Sequence, residues 1–126
     1  MPAIDNESIL TSIKKLLQID EMYEAYDADI IIHINTFLTR VHQLGIGKKD
    51  FRITDKTATW TDFLGEAEAT RYQQVKDYVY LRVRMLFDPP QNSATIKAFE
   101  ENIRELEWML YVDRNNKDLL DSEEYT

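Results

Sequence analysis

The sequence predicts an all-α fold: four helices packed as a bundle, with a short hairpin or ordered loop between the second and third. Three observations lead there. Glycine and proline occur only three times each in 126 residues, so little interrupts long helices. Four segments repeat apolar residues at spacings of three and four, the period of one helix face. Only residues 46–61 change to a different period. A chain of this length makes one domain and buries roughly two-thirds of the surface its unfolded form exposes.

The first helix is expected from about Asn6 to Gln18, with Ile9, Ile13, Leu16 and Leu17 on one face and Asp5 or Asn6 as its cap. An acidic connection follows, Ile19 to Tyr26. Asp27 is read as the cap of a second helix whose wide apolar face holds Ile30, Ile31, Ile34, Phe37, Leu38, Val41 and Leu44. Gly45 is its left-handed stop. Phe51-Arg52-Ile53 and Ala58-Thr59-Trp60 are short β-compatible runs around a turn, Thr54 to Thr57, and leave hairpin and ordered loop both open. Thr61 to Gly65 forms a single helical turn.

The third helix is expected from about Glu66 to Phe87. Tyr72, Val75, Val79, Val83 and Leu86 make one stripe on it, with Tyr78, Leu81 and Met85 beside them. Asp88-Pro89-Pro90 ends it, because proline drives its predecessor out of helical geometry. Ser93 is read as the cap of the fourth helix, which carries Ile96, Phe99, Ile103, Leu106 and Leu110, with Trp108 on another face. The pattern stops after Val112. Residues 1–112 are therefore taken as the helical domain. Residues 113–126, with a net charge of −3 and only Leu119, Leu120 and Tyr125 as apolar anchors, are taken as a flexible acidic tail.

Chemistry is sparse. No cysteine is present, so disulfides and thiolate metal sites are excluded. No nucleotide loop or metalloprotease motif occurs, and Gly45-Ile46-Gly47 reads as helix-ending punctuation. His33 and His42 are nine residues apart on one helix, too far to share a metal; surface histidines, one solvated and one hydrogen-bonded, are expected. Glu100, Glu101, Glu105 and Glu107 interleave with Lys97 and Arg104, the pattern of a solvated or partner-facing helix rather than a catalytic pair. No enzyme, cofactor or metal is expected. Neither a membrane span nor a secretory signal is recognisable, which points to a protein of the cytoplasm.

Two groups of residues stand out as contact candidates. Arg71, Lys76, Arg82 and Arg84 make the third helix basic inside a chain of net charge −8. They are expected to pair with the acidic fourth helix, or to meet DNA phosphate or an acidic neighbour on assembly. Tyr23, Tyr26, Tyr80, Trp108 and Tyr111 fall off the main apolar stripes, and aromatics of that kind favour protein interfaces.

Four stretches resemble the small head–tail connector (adaptor, or head-completion) proteins of tailed bacteriophages: residues 9–17, 29–35, 53–65 and 78–90. The likeness spans roughly residues 8–112 and leaves the tail unmatched. It implies an all-helical connector fold and a structural role without catalytic residues. It further implies a ring, typically twelvefold, under the portal protein, extending the DNA channel and receiving the next head-completion or tail protein. The location implied is the virion neck, assembled in the host bacterial cytoplasm, with DNA passing without sequence recognition. On this reading the basic helix lies at the channel or the subunit seam, and the tail with Leu119, Leu120 and Tyr125 orders on the portal. The alternative is a DNA-binding packaging subunit that uses the basic third helix.

Overall fold

The computed structural model describes residues 7–66 and 71–123, with residues 113–123 as backbone. Five helices follow one another: α1 (Ile9–Leu16), α2 (Asp27–Gln43), the single-turn α3 (Trp60–Leu64), α4 (Tyr72–Phe87) and α5 (Ser93–Glu123). The all-α expectation holds, and no strand occurs among the described residues. The long helices α2, α4 and α5 form the body, with α1 laid against α2 and α4.

Helix ends depart from the sequence reading in instructive ways. Ser8, not Asp5 or Asn6, caps α1, its hydroxyl accepting from the Thr11 amide. Asp27 is the first residue inside α2 and not its cap. At α5 the cap is Asn92, whose side chain accepts from the amides of Ala94 and Thr95; Ser93 is already helical. At α1 and α5 a neighbouring polar residue has the same capping chemistry, and periodicity cannot choose between them; at α2 the cap position falls to Tyr26, which makes no side-chain capping bond. The third helix was expected from Glu66, but α4 begins at Tyr72. Beyond Val112, where the apolar pattern ends, the α5 backbone continues to Glu123.

The core follows the predicted stripes. Ile30, Ile34, Leu38 and Val41 of α2 meet Val75, Tyr78, Val79 and Val83 of α4, and Ile103 and Leu110 of α5 close the third side. Leu86 leaves its stripe and is exposed near the end of α4.

Residues 46–59 form an ordered loop, which resolves the hairpin alternative. Asn35 holds it from α2: its side-chain amide donates to the Ile53 carbonyl at 3.0 Å, and its oxygen accepts the Ile53 amide at 2.8 Å. Gly47, at φ +83°, lies directly over Phe63, and a Cβ there would stand 2.3 Å from the ring. It is therefore a close-packing glycine as well as punctuation. The loop ends in a single antiparallel bridge, Ser8 to Thr59, flanked by hydrogen bonds from Ile9 to Ala58 and from Trp60 to Glu7. Trp60 is thereby drawn into the core, where its indole donates to the Ser12 hydroxyl at 2.9 Å.

Candidate functional site

The acidic connection before α2 has a defined shape because of one buried lysine. Lys14 is 2 % exposed. Its ammonium lies 2.8 Å from an Asp27 carboxylate oxygen and donates to the carbonyls of Glu21 (3.0 Å) and Tyr23 (2.7 Å). Two of the ammonium's three donors thus go to carbonyls, and its charge is met by the Asp27 carboxylate. The segment so held presents Met22, Tyr23 and Tyr26 to solvent, Met22 at 79 % exposure. Tyr26 lies against Tyr23 with the rings tilted at 60° and edge-on against Phe87 from α4.

A second aromatic cluster stands at the far end of α2. Trp108, 64 % exposed, and Tyr111 lie with ring centroids 6.4 Å apart on α5. With Arg40, Gln43, Leu44 and Arg104 they line a groove of about 420 Å³. Tyr80 sits apart from both clusters, half-buried, accepting from Arg84 at 3.1 Å.

The groove floor is a polar knot that joins the three long helices. Arg40 of α2 donates to both Glu107 oxygens, at 3.0 and 3.4 Å, and the Tyr78 hydroxyl of α4 donates to Glu107 at 2.5 Å. Burial alone would raise the Glu107 carboxyl, but the hydrogen bonds from Arg40 and Tyr78 outweigh it and hold the group below its ordinary range. Tyr78 is pushed well above the ordinary phenol value, first by burial and then by its bond to Glu107. A depressed carboxylate contributes stability above its unfolded value, about pH 4.3, which is lost as pH falls through the folded value. Glu107→Gln is therefore expected to lower stability at neutral pH by about 1 kcal/mol, a modest figure because both partners are partly solvated. Urea unfolding repeated at falling pH should show the two proteins converging. For Tyr78 the sign reverses: its contribution is complete below about pH 10 and fades as pH rises through the folded value.

The basic residues of α4 do not line up as one stripe. Lys76 bridges to Glu7 at 3.4 Å and lies over the Tyr72 ring. Arg82 lies over Phe37 of α2 at 4.8 Å, and its Nε has no hydrogen-bond partner among the described residues. Arg84 lies over Phe99 of α5 and donates to Tyr80 and to the Asp88 carbonyl. Arg71, just before Tyr72, is half-buried and engaged. Lys76, Arg82 and Arg84 thus meet rings rather than form ion pairs with α5, although the Arg82 charge still helps hold the Glu107 carboxyl down. The arginine that does pair with α5 is Arg40, which the sequence reading did not single out.

Other candidates add little chemistry. His42 is 3.0 Å from the Gly47 carbonyl and His33 is half-buried; no cluster of three metal-ligating residues occurs among the described residues. No helix there is long and apolar enough to cross a membrane. The side chains of Leu119 and Leu120, and all of Tyr125, lie outside the described residues.

Compared with known families, residues 9–117 match the family model described as phage connector protein. No curated protein and no solved structure matches the chain.

Proposed function

This chain belongs to the phage connector protein family, and from that premise we propose that it is a structural neck protein that assembles as a dodecameric ring under the portal protein. In that position it extends the DNA channel, links the DNA-filled head to the tail, and offers a platform to the next head-completion or tail protein. The match over residues 9–117 carries the proposal. The physical form supports it: a closed helical core gives a rigid subunit, and exposed aromatics at both ends of α2 give contact area. A net charge of −8 suits a channel that must pass DNA without gripping it. Arg71, Lys76, Arg82 and Arg84 remain the candidates for the channel or subunit seam. Leu119, Leu120 and Tyr125 of the acidic tail, residues 113–126, are the candidate grip on the portal.

The alternative, a DNA-binding packaging subunit, draws little support from α4. Lys76, Arg82 and Arg84 turn to three different neighbours, so no continuous basic stripe faces a phosphate backbone.

Native mass spectrometry of the purified protein with its cognate portal ring tests the proposal. The expected product is a stoichiometric ring on the portal, diminished when residues 113–126 are deleted. No complex with portals or with DNA-filled heads would overturn the connector role. Undiminished binding of the shortened chain would remove the tail from it.

A further inference from the structure

The two aromatic clusters differ in charge. Around Met22, Tyr23 and Tyr26, the carboxylates of Asp20, Glu21 and Glu24 are all exposed; of the two lysines beside this segment, Lys14 is buried and committed to Asp27, and the exposed Lys56 is matched by its neighbour Asp55, so the balance stays acidic. The groove at Trp108 and Tyr111 has the opposite balance. Its carboxylate, Glu107, is occupied by Arg40 and Tyr78, while Arg104 is exposed and has no hydrogen-bond or ion-pair partner among the described residues. The 17 residues of α2 set the two ends about 25 Å apart.

We propose that these ends are the two halves of one seam, the acidic aromatic end of one copy docking on the arginine-bearing aromatic groove of the next. The proposal rests on the connector reading and deepens it by naming a second copy of this chain as the occupant of both surfaces. Charge complementarity selects that occupant. A two-fold contact through one end alone would set Glu21 and Glu24 against their own counterparts, or Arg104 against Arg104, whereas the acidic end against the groove sets carboxylates against a guanidinium. An antiparallel pair using both ends at once would stop at two copies, so a doubly substituted chain that cross-links only to dimers would overturn the ring seam. Because the halves stand at opposite ends, each copy uses both at once, as a closed ring requires. Each half also has aromatic anchors beside its charges, the composition that concentrates binding energy at interfaces.

The absence of cysteine makes thiol cross-linking a direct test. Copies carrying Met22→Cys are mixed with copies carrying Gln43→Cys, both exposed positions that leave every charge in place. The mixture is oxidised with and without the portal. The expected product is the mixed 22–43 dimer, with a ladder of multimers from the chain that carries both substitutions. Adding Glu21→Lys and Glu24→Lys should cut its yield about tenfold, and Arg104→Glu in the other copy should restore it. Portal-bound copies that give only 22–22 or 43–43 dimers, or none, would overturn the seam and leave the connector role standing. Failure to bind the portal would overturn the connector role. A 22–43 product from free protein would still support the seam, and its absence there as well would overturn both.

Discussion

Replacing Lys14 by methionine is expected to destabilise the protein by about 3 kcal/mol, the low end of what breaking a buried ion pair costs. Methionine fills most of the lysine's volume, so the loss is one of partners rather than packing. The Asp27 carboxylate loses its cation, and the carbonyls of Glu21 and Tyr23 lose their donor. Asp27 is 23 % exposed and recovers some hydration, which keeps the figure from going higher. A shift of the urea midpoint at unchanged slope reads the effect. Adding Asp27→Asn should recover part of it, because the second change removes the stranded charge. Hydrogen exchange should speed up over residues 20–26 more than elsewhere, since the ammonium takes the carbonyls of Glu21 and Tyr23, while Ile19 keeps its backbone bond to the Lys14 carbonyl. A change under 1 kcal/mol would mean that water replaces the ammonium at little cost, and that the aromatic segment is shaped by its ring contacts alone.

Truncating Trp60 to alanine is expected to cost about 3–5 kcal/mol, lowering the melting temperature by about 10–20 °C. The indole is fully buried, stands edge-on to Tyr72, and begins the only turn of α3. Removing it opens a cavity where α1, α3 and α4 meet. Trp60→Phe keeps the ring contact and loses only the bond to the Ser12 hydroxyl, which still donates to the Ile9 carbonyl; about 1 kcal/mol, before any packing loss, is expected there. Thermal unfolding followed by far-ultraviolet circular dichroism distinguishes the two. Equal losses would show that the hydrogen bond, and not the ring's volume, anchors residues 58–60 to α1.

The helical body was legible because its information is local: Ile30 to Val41 and Val75 to Val83 recur at the helix period and are buried as that period requires. The polar contacts were less legible because they join distant segments, Glu107 standing 67 positions after Arg40. A signal was nevertheless present. Lys14 stands four residues after Leu10 and three before Leu17, and Glu107 stands four after Ile103 and three before Leu110. Each charge lies on its helix's apolar stripe, and a charge on that stripe must find a partner. Composition marked Tyr23, Tyr26, Trp108 and Tyr111 as surface aromatics, but their sorting into two clusters depends on how α2 and α4 bring Tyr26 to Phe87. The loop at residues 46–59 stayed ambiguous because its order comes from Asn35, eighteen residues before Ile53, and not from its own pattern.

The knot of Arg40, Tyr78 and Glu107 has a consequence for assembly geometry. Stripes of isoleucine, leucine and valine can slide past one another by one helical turn, about 5.4 Å, and still find apolar neighbours. A carboxylate that takes one guanidinium and one phenol has no second position. It therefore fixes the height of α5 along the bundle, and with it the height of Trp108 and Tyr111 relative to the Tyr23 and Tyr26 end. In an end-to-end ring that height is the pitch of the assembly. A residual rise at each subunit turns a closed circle into an open spiral, so a single polar contact inside one copy helps decide whether the last subunit meets the first.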